Sequence, residues 1–259
     1  MSLKDSVKGS LRQLGWDVKR FNSLDSEWVR LAQLLSIHRV NVVFDVGANT
    51  GQFARNLLDS SFNGRIISFE PLSSAHRELE RRARGKTNWT VAQRVAIGDR
   101  DGKAVINVSQ NSVSSSMLPI RETHVHAEAT SRYVMTEEVN LRKLDTIAPE
   151  YAKASDRVFL KVDVQGFEYQ VLEGAPQFLS KAVGIQMELS LISLYEGDHL
   201  FVAMLREMES RGFGLWSLIP GFVDPSTGRL LQVDGVFVKT TIPEPRGLAC
   251  ISIPATRAP

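Results

Sequence analysis

Apolar and polar positions along the first hundred residues switch repeatedly between strand-like and helix-like spacing. Apolar, β-branched runs at Val42–Val46, Arg65–Phe69 and Trp89–Ile97 predict three strands. Between them, Gln52–Asp59 and Ser73–Arg84 place apolar residues at helical spacing. Because strands and helices alternate, the pattern predicts a parallel sheet with right-handed crossover connections.

The same pattern returns in the second half of the chain. The runs Val158–Val162 and Gly184–Leu189 predict two more strands, and a helix is predicted to open at Phe167–Leu172. Two late strands, Phe213–Leu218 and Val233–Lys239, follow one another closely and favour an antiparallel pair. The sequence therefore predicts an α/β fold with a mostly parallel seven-stranded sheet and an antiparallel edge strand.

Residues 99–145 interrupt this alternation. Ala104–Val108 and Val139–Leu144 have the composition of strands, and Asn111–Met117 is a loop of small polar residues. We interpret the region near 100–145 as an insertion that carries a hairpin or an active-site loop, because substrate contacts commonly lie on such segments.

The ends of the chain differ from the central domain, which we place at residues 39–240. Residues 1–38 form a predicted helical segment that packs on the domain, and basic residues within 1–22 leave a membrane-surface helix as the alternative. Asp25-Ser26 offers an N-cap for the second part of this segment. Residues 241–259 contain prolines and little periodicity, which predicts an irregular tail.

Charge and cysteine content narrow the class of protein. The net charge is +2, from 31 basic and 29 acidic residues, and no basic stripe with interleaved aromatic residues is present. We therefore expect no nucleic-acid partner. Cys250 is the single cysteine, and no run of about 18 apolar residues or secretory leader is evident. These features favour a cytoplasmic protein, with peripheral membrane contact left open and the oligomeric state not indicated.

The segment that follows the first strand carries the first chemical signal. The strand ends at Asp45, and Gly47 and Gly51 follow it four residues apart. Glycines allow a sharp strand-to-helix turn and a close approach of a ligand to the backbone. Asn49 occupies the third position of the dinucleotide pattern G-x-G-x-x-G, which argues against NAD or FAD. A cationic cofactor without a pyrophosphate, such as S-adenosylmethionine, suits this loop and Asp45; a tight turn without a ligand is the alternative.

The end of the second strand carries the second signal. Glu70 follows Asp45 by 25 residues and stands at the position where an acidic side chain commonly accepts hydrogen bonds from ribose hydroxyls. Pro71 then stiffens the exit from the strand. A surface glutamate at a strand end is the structural alternative.

Several further motifs follow in a fixed order. They are Val95–Asp99 (VAIGD), the Ser114–Ser116 loop, Leu144-Asp145 and Leu160–Ala175 (LKVDVQGFEYQVLEGA). Together with the glycine loop they resemble the FkbM family of S-adenosylmethionine-dependent O-methyltransferases, over roughly residues 40–240. Gln165 departs from the family pattern, which often has Glu there, and this leaves a catalytic role for that position in doubt.

The resemblance implies a Rossmann-like class I methyltransferase fold, S-adenosylmethionine as cofactor, and a hydroxyl as methyl acceptor. The acceptor is expected to be a sugar of a glycan or glycolipid, or alternatively a polyketide-type natural product. Segments 194–197 and 220–224 are expected to help form its pocket. The predicted cofactor-binding residues are Asp45, Gly47, Asn49, Gly51, Phe53, Glu70, Pro71, Ala96 and Asp163.

Four side chains are candidates for the chemical step. Asp163 and Glu188 end neighbouring strands, so they are predicted to act as base and orienter or to hold a divalent metal such as Mg²⁺. His124 and His126 are spaced H-x-H in the insertion, and on a strand both would face one side. Solvated loop histidines are the alternative. Glu168, in the first turn of a predicted helix, is either functional or a helix cap.

Two other functional classes remain at this point. One is a nicotinamide-dependent oxidoreductase, which Asn49 disfavours. The other is a non-catalytic cofactor-binding protein, in which loss of the Asp163 carboxylate would leave function in cells unchanged.

Overall fold

The computed structural model describes residues 7, 11, 13, 14 and 26–241. The predicted helix of residues 1–22 and the predicted tail of 241–259 therefore lie almost entirely outside the described residues. Within them, the helices are α1 (Glu27–Ile37), α2 (Gln52–Asp59), α3 (Ser73–Ala83), α4 (Glu122–Ala127), α5 (Leu144–Ile147), α6 (Glu168–Glu173), α7 (Pro176–Lys181) and α8 (Phe201–Ser210). The strands are β1 (Val42–Val46), β2 (Arg65–Phe69), β3 (Trp89–Val91), β4 (Ala96–Ile97), β5 (Gly102–Ser109), β6 (Tyr133–Arg142), β7 (Val158–Val162), β8 (Gly184–Ser190), β9 (Phe213–Pro220) and β10 (Gln232–Lys239).

The main sheet has seven strands in the order β3-β2-β1-β7-β8-β10-β9. Its neighbours pair in parallel except at β10, which runs antiparallel to both β8 and β9. The predicted mostly parallel sheet with an antiparallel pair at its edge is confirmed. The reversed strand β10 lies one place in from the edge. Strand β9 comes earlier in the chain and occupies the edge, and the chain then turns back to form β10 between β9 and β8.

The two central strands are buried on both faces. Phe44 and Leu160 point into one apolar layer, whereas Val43 and Phe159 point into the other. Each fully buried side chain of this size contributes about 1.5–3 kcal/mol of hydrophobic stabilisation. The strong burial fixes the register of β1 against β7, and it therefore fixes where their carboxyl ends stop.

Helix α1 closes the second of these layers. Its N-cap is Ser26, whose hydroxyl accepts a hydrogen bond from the Val29 backbone N–H at 3.4 Å, as the N-cap signal predicts. Its apolar side chains Leu31, Leu34 and Leu35 are buried in the same cluster as β1. The helix thus packs on the sheet face.

A second, three-stranded sheet of order β4-β6-β5 stands beside the main one. The prediction of one strand over Trp89–Ile97 is wrong, since β3 joins the main sheet and β4 joins the small one. The exposed polar pair Gln93-Arg94 separates them, because neither side chain fits a buried strand. The strand predicted at Val139–Leu144 ends at Arg142 instead, where the Lys143 N–H turns to the Asp101 carboxylate at 2.8 Å.

Strands β5 and β6 pair antiparallel and flank the polar loop Asn111–Met117. This is the hairpin arrangement expected of the insertion. In the part of the chain that the structure describes, no helix is long and apolar enough to span a bilayer.

Candidate active site

The loop between β1 and α2 is built on left-handed backbone conformations. Gly47 has φ 79° and Asn49 has φ 46°. The backbone N–H groups of Gly47 and Ala48 donate to the Phe69 carbonyl at 3.1 and 3.0 Å, which folds the loop over the end of β2. A Cβ on Gly47 would overlap the carbonyl oxygen of Asp163. Glycine is therefore required here by both conformation and space.

A cleft opens at the carboxyl ends of β1, β2 and β7. This is the edge at which open α/β sheets bind ligands. The predicted cofactor-binding residues that line it are Gly47, Asn49, Glu70, Pro71, Ala96 and Asp163. The two halves of the sequence prediction, the glycine loop and the segment around Asp163, thus meet in one cavity.

Glu70 is held rigidly at the wall of this cleft. Its Oε2 accepts from the Asn49 backbone N–H at 2.7 Å, and its Oε1 accepts from the Leu72 backbone N–H at 2.8 Å. Burial raises the pKa of Glu70 to about 7, although the two backbone hydrogen bonds oppose the shift. Each carboxylate oxygen keeps a further lone pair, so the group can still accept hydrogen bonds from a diol in the cleft.

The small sheet supplies an apolar wall opposite the glycine loop. Val95, Ala96 and Ile97 lie at or next to β4, and Ile106 extends from β5. Such a wall suits a flat aromatic base, and the neighbouring Glu70 suits a ribose. The residues present therefore fit an adenosine-containing cofactor.

Three of the predicted cofactor-binding residues lie outside the cleft lining. Asp45 is fully buried and accepts a hydrogen bond from the Ser68 hydroxyl at 3.0 Å. Gly51 faces the indole ring of Trp89, and Phe53 packs edge-on against Trp28 with 5.6 Å between ring centroids. These three residues pack beneath the loop between β1 and α2. The sequence had suggested that they contact the cofactor directly.

Lys161 is a buried ammonium that links the support of the loop to the cleft. Its Nζ lies 3.7 Å from Asp45 Oδ1 and 3.1 Å from Asp163 Oδ2. Burial lowers the pKa of Lys161, but the carboxylates of Asp163 and Asp45 outweigh this and hold that pKa above its usual value. The lysine therefore stays charged, and desolvation raises the pKa of Asp45 while Lys161 opposes that rise.

Asp163 and Glu188 do come together, but through a third side chain. Gln165 donates from Nε2 to Asp163 Oδ1 at 2.9 Å and to Glu188 Oε2 at 2.8 Å. The same Glu188 oxygen accepts from Gln232 Nε2 at 2.7 Å. Burial, followed by the charge of Asp163, raises the pKa of Glu188 well above its usual value. Tyr195 completes the arrangement by donating its hydroxyl to Gln165 Oε1 at 2.8 Å.

The magnesium prediction is not supported. Among the described residues, no group of three or more His, Cys, Asp or Glu side chains is arranged to hold a metal ion. An amide nitrogen occupies the space between Asp163 and Glu188, and the Lys161 ammonium already neutralises Asp163. A second cation beside this ammonium would be repelled.

Glu168 acts on the backbone of the same loop. Its Oε1 accepts from the N–H groups of Val164 and Gly166 at 3.1 and 3.2 Å. The side chain is buried, and burial raises the pKa of Glu168 to about 7. It fixes the turn that carries Asp163 and Gln165.

The polar loop of the insertion is attached to both halves of the cleft. The Asn49 amide donates to the Ser112 hydroxyl at 3.3 Å, and the Ser116 hydroxyl donates to the Gln165 carbonyl at 2.6 Å. Ser112 and Gln165 both have left-handed backbones, with φ 61° and 56°. The loop therefore lies across the cleft and is held at each end.

The two histidines do not lie on a strand and do not line the cleft. Both belong to helix α4, where residues two apart point about 200° apart around the axis. His124 is buried between Tyr195 and Phe222, with 5.2 Å between its ring centroid and each of theirs, and burial lowers the pKa of His124 to about 4. His126 is exposed and faces a different groove.

That groove, of about 700 Å³, lies at the same edge of the sheet beyond Tyr195. Helix α4 contributes Thr123 and His126, and the turn before β10 contributes Asp224 and Arg229. Leu231 forms part of an apolar floor. The mixture of hydroxyl, imidazole, carboxylate and guanidinium groups is suited to a polar ligand with many hydroxyls.

Sequence reasoning assigned no individual chemical role to three residues of the site: Lys161, Gln165 and Tyr195. The signal for Lys161 was present, because residues two apart on a strand share a face and Lys161 precedes Asp163 by two. Tyr195 falls in the segment 194–197 that was expected near the acceptor. Its contact with Gln165 joins residues 30 positions apart, and no periodicity signals such a pair.

Solved structures with related arrangements include magnesium protoporphyrin IX methyltransferase (ChlM) of Synechocystis PCC 6803 with bound SAM. It is 10% identical, with 92% of this chain and 98% of that chain covered and a TM-score of 0.46. A fibrillarin/Nop5p complex is 14% identical, with 82% and 83% covered and a TM-score of 0.46. Likenesses at this level carry no information on substrate.

A family match is more informative than these structural likenesses. The sequence model of the Methyltransferase FkbM domain matches residues 45–215, which is more than half of the chain. The chain therefore belongs to the FkbM methyltransferase family, as its motifs predicted, and its sheet is that of the predicted Rossmann-like class I methyltransferase fold. A relative from Sinorhizobium fredii (strain NBRC 101917 / NGR234), 2-O-methyltransferase NoeI, is 29% identical over 164 residues. That match covers 61% of this chain and 66% of the relative, just under two thirds of its length.

Proposed function

We propose that this protein transfers a methyl group from S-adenosylmethionine to a hydroxyl of a sugar in a glycan or glycolipid. The observation that carries this proposal is the single cleft that contains both the Gly47–Asn49 loop with Glu70 and the Asp163 carboxylate. A methyl donor in the first half would lie beside a proton acceptor in the second. Alignment and proton removal are the two requirements of methyl transfer to an alcohol.

S-adenosylmethionine would supply an activated methyl group on a cationic sulfonium. Glu70 would accept hydrogen bonds from the ribose hydroxyls, and Val95–Ile97 would pack against the adenine. The backbone around Gly47 and Asn49 would face the amino acid end. The Asp45–Lys161 pair would hold the loop from below, since both side chains are buried under it.

Asp163 is the proton acceptor in this proposal. Its side chain is 38% exposed. Lys161 donates a hydrogen bond to one of its carboxylate oxygens, and Gln165 donates to the other. Each of these oxygens keeps a lone pair for the acceptor hydroxyl. The histidines are poorer candidates, because His124 is enclosed by aromatic rings and His126 faces the other groove.

The name of the 29% identical relative, 2-O-methyltransferase, supports an oxygen as the methyl acceptor. The groove lined by Thr123, Asp224 and Arg229 supports a sugar, because it offers polar contacts beyond the cleft. A saccharide longer than one unit would reach from Asp163 into such a groove at the same sheet edge.

The test uses S-adenosylmethionine labelled in its methyl group and two cell fractions, a lipid extract and released glycans. We expect wild-type protein to label a glycan or glycolipid, and Asp163→Asn to lower the rate about 10²- to 10⁴-fold, the usual contribution of a general base. Adenosylhomocysteine affinity, measured by calorimetry, should change far less. Asp59→Asn, an exposed aspartate at the end of α2, is the matched control and should match wild type.

Two results would overturn the proposal. One is full turnover by Asp163→Asn, which would remove that carboxylate from the reaction. The other is thermal stabilisation by NAD but not by adenosylmethionine, which would return the protein to the oxidoreductase class. Labelling confined to non-sugar hydroxyls would reject the sugar acceptor alone.

A further inference from the structure

Three segments of the chain converge on the side chain of Gln165. Asp163 lies at the end of β7, Glu188 lies near the end of β8, and Tyr195 lies in the segment after β8. The Gln165 amide nitrogen contacts both carboxylates at 2.9 and 2.8 Å, and its oxygen receives the tyrosine hydroxyl at 2.8 Å. All polar atoms of this side chain are therefore engaged.

The direction of these hydrogen bonds fixes the orientation of the amide. An ionised carboxylate can only accept hydrogen bonds, so the NH₂ group faces Asp163 and Glu188. The Tyr195 hydroxyl lies 2.8 Å from the amide oxygen and 3.2 Å from the Ser114 carbonyl and can donate to either, so the two carboxylates decide the orientation of the amide. Gln165 thus places two protons between two like charges that would otherwise repel one another.

We propose that Gln165 is a positioning residue that bridges Asp163 and Glu188, screens their mutual repulsion and aims the Asp163 carboxylate into the cleft. This inference rests on the proposed function, because it assigns the proton-accepting role to Asp163. In this role Gln165 acts through the Asp163 carboxylate, to which its amide donates a hydrogen bond. Asp163 would then receive the acceptor proton as the new carbon–oxygen bond forms and the carbon–sulfur bond breaks.

The backbone at Gln165 supports this role. Its φ of 56° is a left-handed conformation that costs a non-glycine residue free energy. The Ser116 hydroxyl bonds its carbonyl, and Glu168 bonds the N–H groups on both sides of it. A strained residue held from several directions is typical of a functional site.

The charges around this pair explain why a neutral donor is suited to the position. The charged or titratable groups on the packed elements are Asp45 on β1, Lys161 on β7, Glu168 on α6, Asp234 on β10 and Tyr195 and Tyr133 beyond them. Among these groups Lys161 carries a positive charge, whereas the others are acids. A carboxylate in place of the Gln165 amide would add one more acid to this group and would have to be protonated to donate a hydrogen bond.

The experiment compares Gln165→Met and Gln165→Glu with wild type in the full-length protein. The labelled-methyl assay with the same lipid and glycan extracts is run from pH 5 to pH 10. We expect Gln165→Met to lower the rate at pH 7 about 10- to 100-fold and to recover much of it at pH 9, because unshielded like charges hold a proton to higher pH. Gln165→Glu should show a larger displacement of the acid limb, in the same direction.

A second readout does not use turnover. Infrared titration of the cofactor-free protein follows the band of protonated carboxyl groups, which should persist to higher pH in Gln165→Met than in wild type. Adenosylhomocysteine affinity should stay within about threefold in both, since Gln165 acts on the acceptor side. Gln232→Met is the matched control, because Gln232 donates to Glu188 but not to Asp163. Its acid limb should move less.

The outcomes separate the two proposals. If wild-type protein transfers no methyl group to either extract, the proposed function fails. If wild-type protein is active and Gln165→Met loses activity equally at every pH, with an unmoved carboxyl band, Gln165 is only structural and the inference is wrong. Tyr195→Phe gives an independent check, since an amide that has lost the hydroxyl on its oxygen should be held less firmly and produce a smaller displacement in the same direction.

Discussion

The two halves of the cleft are built in different ways. On the cofactor side, residues 45–51 and 69–72 contact each other mainly through backbone groups, as in the bonds from Gly47 and Ala48 to the Phe69 carbonyl. On the acceptor side, Asp163, Gln165, Glu188 and Tyr195 contact one another through side chains from separate segments. A backbone-built site depends on local conformation, whereas a side-chain network depends on charge. Substitutions should therefore damage the two halves in different ways.

The largest effect is expected at Gly47, where the halves touch. Gly47→Ala adds a Cβ that overlaps the Asp163 carbonyl and forces alanine to φ 79°. We expect a loss of about 3 kcal/mol or more in the free energy of unfolding, measured in urea, and no detectable binding of adenosylhomocysteine. Gly85→Ala is the control, because Gly85 has φ 81° with nothing within 4 Å of an added Cβ. A similar loss in both variants would mean that conformation alone matters and that the contact with Asp163 does not.

Glu70 is expected to show the next largest effect, confined to the cofactor. Glu70→Gln should weaken adenosylhomocysteine binding about 10-fold or more in calorimetry, since hydrogen bonds to a charged group contribute about 1.5–3 kcal/mol. The pKa of about 7 further predicts that wild-type affinity falls as the pH drops below 7, whereas the variant should lack this dependence. Glu137→Gln is the control, because Glu137 also accepts a backbone N–H but lies outside the cleft lining. Unchanged affinity in Glu70→Gln would remove the ribose contact.

A substitution at Glu168 tests the acceptor side of the cleft through the pH dependence of the free energy of unfolding. Burial raises the pKa of Glu168 from 4.5 to about 7, so the folded protein binds this proton more tightly than the unfolded chain. The stabilisation from that proton is fully present below pH 4.5 and is lost as the pH rises through 7. Relative to wild type, Glu168→Gln should therefore gain on the order of 2 kcal/mol in the free energy of unfolding between pH 5 and pH 8. A difference that stays flat with pH would contradict the assignment.

The smallest effect is expected at His124. His124→Phe keeps the aromatic packing against Tyr195 and Phe222 and removes a titratable ring. We expect turnover in the labelled-methyl assay within about twofold of wild type across pH 5–9, because His124 lies outside the cleft lining and phenylalanine keeps the ring contact with Tyr195. A variant that loses most of its activity with normal thermal stability would restore the histidine as a base and displace Asp163 from that role.

The sequence predicted what local patterns determine. The alternation of strands and helices, the glycine turn and the acid at the end of β2 all follow from spacing and residue type within short windows. The split of Trp89–Ile97 into β3 and β4 was missed, because apolar residues lie on both sides of the exposed Gln93-Arg94 pair. Only the structure shows that the residues before and after this pair join different sheets. For the H-x-H pair the sequence left a strand or a solvated loop open, and the pair lies on a helix instead, since two residues cannot distinguish a strand from a one-and-a-half-turn helix. Gln165 looked like a tolerated exception, and its bridging role depends on Glu188 and Tyr195, which lie 23 and 30 residues away.

The close approach of Gly47 to the Asp163 carbonyl also bears on how such a protein can change its substrate over time. The glycine loop at Gly47 and the proposed base Asp163 meet at one contact that leaves no room for an added methyl group. A substitution in one of them would therefore require a matching change in the other. New acceptor preferences are then expected to arise in the parts that surround this fixed centre, namely helix α4, the 111–117 loop and the turn before β10. A library aimed at a new sugar should vary those segments and leave the centre unchanged.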